Sequence, residues 1–459
     1  MTDLFAARSQ MAMSLAFHIL FACVGIAMPL LMVIAERRWI RSGDGVYLTL
    51  AKRWAKGTAI MFAVGAVSGT ALSFELGLLW PEFMRYAGPI IGMPFSLEGF
   101  AFFLEAIFLG IYLYGWDRVR PKVHLMAGIM VFICGTISGI FVVAANAWMN
   151  TPTGFDISVG EQIISIASPL DWPPGLTFSD VEVVAVRPFE AMFNPAFPTQ
   201  ALHMTLAAFC AVGFAVAGIH AFMLRRDSRN TFHRSAFSIA FPIGAVSALL
   251  IPISGDFAAK QVAEHQPAKL AAMEAHWETE AGADLIIGGW PDEEDEVTRY
   301  AIRIPGFLSF LAHGDFDSTV VGLRDIPVDQ RPPVLIPHLA LQVMVGTGMS
   351  LVGVALLGFW LRFRRKSWAD SRRFLGLVFL SAPLGFLAVE AGWFVTEVGR
   401  QPWIVRGIMR TEEAVSPMPN LVVPFLVFSA LYLMLGLIVV ALLKHQVFQS
   451  PTDEELADA

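Results

Sequence analysis

The chain has 459 residues, of which 56% are hydrophobic and 15% charged, and its mean hydropathy is +0.60. A soluble domain this apolar cannot cover its surface with polar side chains, so lipid must replace part of the solvent. The net charge of −7 carries little information, because the charge of each loop matters more in a membrane protein. The sequence lacks a dense basic run, which argues against nucleic-acid binding.

Nine apolar runs have about the twenty residues needed to cross roughly 30 Å of hydrocarbon. They lie at about 12–34, 56–79, 94–115, 124–147, 199–224, 234–254, 335–361, 374–397 and 420–444. The first run lacks a basic leader and a small-residue cleavage site, so it is interpreted as a retained helix. We therefore predict an all-α integral membrane protein with about nine transmembrane helices.

Basic residues alternate between the connections. The connections after runs one, three, five and seven are rich in Lys and Arg, including Arg362, Arg364, Arg365 and Lys366, and the intervening short ones hold few. Cytoplasmic loops carry the excess of basic residues, so this alternation predicts an outside N-terminus and a cytoplasmic C-terminus.

Two predicted external segments are long, at 148–198 and 255–334. The second contains a helix-like stretch from Lys269 to Thr279, and loops of this length are uncommon unless they bind something. The chain therefore divides into helices 1–6 (1–254), an external loop (255–334) and helices 7–9 (335–459).

Ionisable side chains inside the apolar runs are candidate functional residues, because burying them in lipid is costly. In chain order they are His18, Glu75, Glu98, Glu105, His203, Glu390 and Glu397, with Met344 in run seven and Trp393 in run eight. Taken singly, His18 is as typical of packing as of haem ligation, and a lone methionine such as Met344 is typical of packing. The carboxylates alone are equally typical of a transporter. With the N-terminus outside, however, His18, His203, Met344, Glu98 and Glu397 all fall in the outer half of the bilayer. That depth favours a redox centre near the outer face, since histidine and methionine are axial ligands of haem.

The most specific motif is the sequence GRQPW from Gly399 to Trp403, preceded by a segment from Glu390 to Glu397. It resembles the signature of subunit I of the cytochrome bd family of quinol oxidases, in particular its cyanide-insensitive branch. Further matches are Ser96 to Glu105, Ala145 to Asn150, Ser254 to Asp256 and Lys269 to Ala275. Together they cover essentially the whole chain.

The resemblance implies three haems. His203 and Met344 would be the axial ligands of a low-spin haem b. His18 and Glu397 would ligate the two high-spin haems, a haem b and either haem d or a third haem b, and which residue ligates which haem stays open. Trp393 and Arg400 would contact haem propionates, and Glu98 and Glu105 would lie beside the high-spin pair on the proton route.

The resemblance also implies the substrates and partners. Lys269 and Glu274 would hold ubiquinol or menaquinol and take its protons on the outer side, while oxygen is reduced to water with cytoplasmic protons and without a pump. A second large membrane subunit is implied, a small single-helix subunit stays open, and the expected location is the bacterial inner membrane. One departure is Gln342, where much of the family has arginine, which leaves one quinol or propionate contact open.

Two other functions fit parts of the pattern. A di-haem quinol-oxidising subunit of another respiratory complex would need histidine pairs for both haems. A proton-coupled transporter would use Glu98, Glu105, Glu390 and Glu397 and bind no pigment. Haem–copper oxidases need about six membrane histidines, and only His18 and His203 are well placed here.

Overall fold

The computed structural model describes residues 2–168, 171–364, 368–452 and 455, and for residues 369 and 445–448 the backbone alone. Arg365 and Lys366 of the basic connection lie outside the described residues. Fourteen helices are described: α1 Asp3–Ser42, α2 Gly45–Leu79, α3 Pro81–Tyr114, α4 Pro121–Asn150, α5 Pro188–Met192, α6 Phe197–Arg226, α7 Thr231–His265, α8 Pro267–Glu274, α9 Phe307–His313, α10 Leu335–Phe363, α11 Arg372–Ser381, α12 Leu384–Val398, α13 Thr411–Ala414 and α14 Val422–Phe448.

Nine membrane-length helical segments lie within the described part of the chain, as the sequence predicted, with α11 and α12 together forming the eighth. Helices satisfy their own backbone hydrogen bonds, which is why an apolar chain adopts them in lipid. Close helix contacts rely on small residues: a Cβ added at Gly213 of α6 would lie 2.5 Å from the backbone nitrogen of Gly244 in α7.

Short antiparallel sheets lie in the connections, where the sequence analysis had placed no strands. Strand β1 (Phe155–Val159) pairs with β2 (Gln162–Ile166) and β3 (Glu182–Val186), and β4 (Glu280–Ala281) pairs with β7 (Thr319–Val320). Strands β5 (Leu285–Asp292) and β6 (Val297–Ile304) form a hairpin, and β8 (Trp403–Val405) pairs with β9 (Met409–Arg410).

Several helices extend beyond their predicted runs, for example α2, which begins at Gly45, and α3, which begins at Pro81. Helix α7 continues to His265, beyond the predicted end of the sixth run at 254. The eighth run is interrupted between α11 and α12, where Pro383 lacks the N–H that a continuous helix needs. The helix-like stretch predicted from Lys269 to Thr279 ends at Glu274, because Ala275 adopts a left-handed conformation with φ 51°.

The longer connections meet at one end of the helix bundle, here called the loop end, which comprises 151–196, 266–334 and 399–421. The backbone N–H of Arg406 donates to the carbonyl of Met149 at 3.0 Å, joining two of these connections. Asp3 accepts from the backbone N–H of Leu421 at 2.8 Å, so the N-terminus lies at the loop end. At the opposite end Arg53 of α2 pairs with Glu455. The two termini therefore lie at opposite ends of the bundle.

Candidate active site

His18 points from α1 towards α2. Its Nδ1 lies 2.9 Å from Ser68 Oγ, and that hydroxyl also bonds the carbonyl of Gly65 at 3.1 Å. A serine hydroxyl has one proton, which goes to the carbonyl, so Ser68 accepts from His18 Nδ1–H. The neutral ring therefore carries its proton on Nδ1, and Nε2 keeps a free lone pair.

His203 on α6 has the same arrangement with α7. Its Nδ1 lies 2.9 Å from Ser254 Oγ, which donates to the carbonyl of Ile251 at 3.0 Å. The same proton count leaves Nε2 of His203 unprotonated. Histidines that bind a metal typically donate their other ring N–H to a fixed acceptor, and both residues meet that requirement.

A glycine follows each of these serines and lies against the same ring. A Cβ added at Gly69 would stand 2.9 Å from Cε1 of His18, and one at Gly255 would stand 3.5 Å from Cε1 of His203. The two Ser–Gly pairs thus act alike: the hydroxyl fixes the ring proton, and the glycine allows the neighbouring helix to approach the ring.

Met344 of α10 lies against α12. Its Sδ is 3.1 Å from the position that a Cβ of Gly392 would occupy. Gly392 is the residue before Trp393 in the chain. Helix α6, which carries His203, and helix α10, which carries Met344, both pack against α7 and α12. These two predicted ligands therefore belong to one group of four helices.

Glu397, in the last turn of α12, is held at both carboxylate oxygens. Asn146 Nδ2 donates to Oε1 at 2.7 Å, and Arg400 Nη2 donates to Oε2 at 2.6 Å. Arg400 is only 4% exposed, and its Nε and Nη1 have no partner within the described residues. A carboxylate oxygen has two lone pairs, so each oxygen of Glu397 can accept one further bond.

These features fit an iron porphyrin. Two imidazoles with free Nε2 atoms, a thioether and a carboxylate are a donor set that haem iron takes as axial ligands. Buried N–H groups without acceptors are costly, and those of Arg400 match an anion such as a haem propionate.

Lys269 of α8 connects the loop of 266–334 to the Glu397 carboxylate. Its Nζ donates to Asn150 Oδ1 at 2.7 Å, and Asn150 Nδ2 donates to the carbonyl of Asn146 at 3.1 Å. Asn146 in turn binds Glu397. A continuous series of hydrogen bonds thus joins a residue predicted to hold quinol with one predicted to hold haem.

Positive charge exceeds negative charge around this series. Burial lowers the pKa of the Lys269 ammonium well below its usual value, and the nearby Arg400 and Arg406 lower it further. Burial also lowers the pKa of Arg406 to about 10. Glu397 is the nearby carboxylate that acts in the opposite direction, so the cluster of Lys269, Arg400 and Arg406 is suited to bind anionic groups.

Glu274 ends α8 in a buried position. Its Oε2 has no hydrogen-bond partner among the described residues, and burial raises the pKa of the carboxyl to about 7. The carbonyl of the preceding residue, Met273, lies 3.0 Å from Nδ1 of His338, whose Nε2 lies 2.9 Å from the carbonyl of Gly288. His338 therefore ties α8 and β5 to the first turn of α10.

Gln342 strengthens the same attachment. It accepts from the N–H of Gly288 at 2.9 Å and donates to the carbonyl of Ile286 at 3.1 Å. The residue that departs from the common arginine is thus engaged with the backbone of β5, and its amide serves to hold the loop.

Glu98 and Glu105 line one face of α3 towards α4. Ser138 donates to Glu98 Oε1 at 3.2 Å, and Oε1 of Glu105 lies 2.9 Å from the position that a Cβ of Gly135 would occupy. Gly25 of α1 lies on the other side of Glu105. The two carboxylates therefore follow the contact between α1, α3 and α4.

Comparison with known proteins decides the family. The model of the family described as cytochrome bd terminal oxidase subunit I matches residues 6–451. The chain belongs to this family.

Relatives of the bd family match along nearly their whole length. A cytochrome bd menaquinol oxidase subunit I of Bacillus subtilis (strain 168) is 35% identical, with 100% of both chains covered. A cytochrome bd ubiquinol oxidase subunit 1 of the same organism is 31% identical, covering 97% of this chain and 94% of the relative. The solved bd oxidase of Geobacillus thermodenitrificans has a TM-score of 0.87 at 38% identity, covering 98% of this chain and 99% of that one.

Membership confirms the predicted family, and the chain is a multi-pass membrane oxidoreductase. Of the predicted site residues, the structure brings Glu397, Arg400 and Lys269 into one cluster, Glu98 and Glu105 onto one face, and Met344 against Gly392, the residue before Trp393. His18 bonds Ser68 of α2. The sequence analysis gave no role to Ser68, Asn146, Asn150 and His338. A serine or asparagine facing a histidine or carboxylate fifty or more residues away leaves no local pattern to find.

Proposed function

We propose that the chain is the catalytic, haem-bearing subunit of a terminal quinol oxidase, oxidising quinol at the loop end and reducing oxygen to water. The observation that carries the proposal is the paired histidine geometry, in which Ser68 and Ser254 each leave Nε2 of a half-buried histidine free. That is the state in which imidazole binds haem iron.

In this proposal each ligand has a distinct role. His203 and Met344 hold a low-spin haem b, and His18 and Glu397 hold the two high-spin haems, one of them haem b and the other haem d or b. When bound, the haems supply one-electron transfer and oxygen chemistry. The Nε and Nη1 atoms of Arg400, which have no partner within the described residues, would bind a propionate, and Trp393 would contact one as well.

The quinol headgroup would bind near Lys269 and Glu274. Quinol oxidation releases protons, and the buried Glu274 carboxylate, with its free Oε2, is placed to accept one. Lys269 would orient the headgroup while remaining attached to Asn150. The relatives are named for menaquinol or ubiquinol, and either is compatible with these two side chains.

Protons for oxygen reduction would reach the site along Glu98 and Glu105 from the end opposite the loop end. A dry bilayer interior conducts protons only along ionisable groups and water, and these two carboxylates lie one above the other on α3. If quinol protons leave outside and oxygen takes protons from the cytoplasm, charge is separated without a pump.

The loop end would face outward and the protein would lie in the bacterial inner membrane, since the basic connections lie at the opposite end. Helix α3 presents Phe100, Phe103 and Ile107, which are 71%, 67% and 59% exposed. Such a face needs lipid or another subunit, and we assign part of this apolar surface to a second large membrane subunit.

The test is oxygen uptake by the purified protein with a quinol donor, recorded together with a reduced-minus-oxidised visible spectrum. We expect quinol-dependent uptake and signals of both low-spin and high-spin haem. A coloured protein with only low-spin haem and no uptake would instead indicate a quinol-oxidising subunit of another complex, and a colourless one a transporter.

A further inference from the structure

Four polar side chains that the proposed chemistry does not use meet between α1, α2 and α14. Gln10, Ser14 and Glu75 are each 0% exposed, and Tyr432 is 3% exposed. Gln10 and Ser14 face the Glu75 carboxylate, and Tyr432 lies near both Ser14 and Glu75. These side chains are close enough to interact, but both amide atoms of Gln10, Ser14 Oγ, both carboxylate oxygens and the phenol oxygen make no hydrogen bond of normal length and angle within the described residues.

So many unpaired polar atoms in one place indicate ordered water. Buried polar groups in proteins are nearly always hydrogen-bonded, and buried water typically makes about three such bonds. None of the ion pairs within the described residues involves Glu75, and Gln10, Ser14 and Tyr432 have uncharged side chains. Polar neighbours alone, without a counter-cation, stabilise the ionised carboxylate, so negative charge added nearby favours its protonation.

This cluster lies on the same faces of α1 and α2 as His18 and its partner Ser68. Ser14 is one helical turn before His18 on the same face of α1, and Glu75 is two turns after Ser68 on the same face of α2. Ser68 accepts the His18 ring proton at 2.9 Å. In the other direction, Glu75 lies one turn before α2 ends at Leu79, which is at the loop end.

We propose that Gln10, Ser14, Glu75 and Tyr432 hold a water cluster through which Glu75 takes up a proton when the haem held by His18 is reduced. The inference rests on the proposed function, because it requires a haem on His18. One electron, supplied by quinol oxidation, enters a low-dielectric site and is stabilised by one proton nearby. That proton comes from water at the loop end, protonates the carboxylate, and returns when the haem is reoxidised, so none is consumed.

The test is a reduced-minus-oxidised infrared spectrum of the purified oxidase in H2O and in D2O. We expect a carboxylic-acid C=O band that shifts in D2O and disappears in Glu75→Gln, which keeps the size of the side chain without its proton. In Tyr432→Phe and Ser14→Ala the band should move, because the carboxyl loses a polar neighbour. The control Glu82→Gln removes a carboxylate with a 41% exposed side chain, paired with Arg85, and should leave the band unchanged.

An unchanged C=O band in Glu75→Gln, in a sample with a normal visible haem spectrum, would overturn the inference and leave the proposed function intact. If that variant does not accumulate, an unmoved band in both Tyr432→Phe and Ser14→Ala would overturn it equally. A wild-type sample without haem signals would contradict the proposed function itself, which the visible spectrum of the same sample reveals.

Discussion

Lys269 Nζ donates a 2.7 Å hydrogen bond to Asn150 Oδ1, and this bond attaches the loop of 266–334 to the last turn of α4. Asn150 bonds Asn146, and Asn146 bonds Glu397. The residues proposed to hold quinol and haem are therefore separated by two asparagine side chains. A substitution at Lys269 should change the position of Glu397, and the reverse should also hold.

Breaking this connection should slow quinol oxidation. In Asn150→Leu the buried Lys269 ammonium loses its acceptor, and a hydrogen bond to a charged group contributes enough that we expect about a tenfold lower rate. The measurement is quinol-dependent oxygen uptake. Lys269→Met, which removes the donor of the same bond, should slow the enzyme as well. Lys260→Met, which removes a lysine with a 42% exposed side chain paired with Asp256 on α7, is its control and should keep its rate. An unchanged rate of oxygen uptake in Asn150→Leu would show that the hydrogen bond between Lys269 and Asn150 does not contribute to quinol oxidation.

The two serines should affect different haems. Ser254→Ala leaves the His203 ring without its acceptor, and loss of such a partner typically weakens metal binding 10–100-fold. We expect reduced retention of low-spin haem in this variant and of high-spin haem in Ser68→Ala, measured by visible spectra of detergent-washed protein. The control is Ser73→Ala, an exposed serine whose hydroxyl bonds only Gly69 O. Identical spectra in all three variants would refute the positioning role.

The low-spin ligands can be removed singly. His203→Ala or Met344→Leu should abolish the low-spin signal while some high-spin haem remains, because the proposed high-spin ligands are on other side chains. Met349→Leu, which changes a 54% exposed methionine on the same helix, should leave the spectrum intact. A full low-spin spectrum in either ligand variant would exclude that residue as a ligand.

Loss of the Glu397 carboxylate should stop oxygen reduction and destabilise the loop end. In Glu397→Ala the Arg400 guanidinium, whose side chain is 2% exposed, loses its paired carboxylate and keeps only the proposed propionate. Removing one partner of a buried charge is destabilising, so a lower thermal unfolding temperature should accompany the lost turnover. Glu412→Ala, at an exposed position on α13, is the control. Near-normal turnover in Glu397→Ala would argue against a ligand role.

The pH dependence of quinol oxidation should report Glu274. Burial raises the pKa of this carboxyl from 4.5 to about 7, and only the ionised form accepts a proton, so the rate should increase as the pH rises through about 7. Because the folded-state pKa is raised, stability should fall as the pH rises between 4.5 and 7. Glu274→Gln should lower the rate and remove both dependences. A pH profile that Glu274→Gln does not alter would assign the titration to another group.

The sequence predicted the membrane helices, which the structure confirms, and the family, which the comparisons confirm. The length of an apolar run and the basic residues of a loop can be read from neighbouring residues. The GRQPW sequence likewise begins only two residues after Glu397. Local patterns could not show the break at Pro383, where a proline inside an apolar run is compatible with either a kink or an end. They also could not show Ser68 or Asn150, because each meets its partner through packing of separate helices.

The central claim is that His18, His203, Met344 and Glu397 hold iron porphyrins near the loop end. It is tested most directly by an experimental density map of the purified oxidase at a resolution that shows side chains and porphyrins. The account predicts three porphyrins, with Nε2 of each histidine, Sδ of Met344 and a carboxylate oxygen of Glu397 at bonding distance from iron. A map in which these atoms face protein or lipid, with no porphyrin between them, would contradict it.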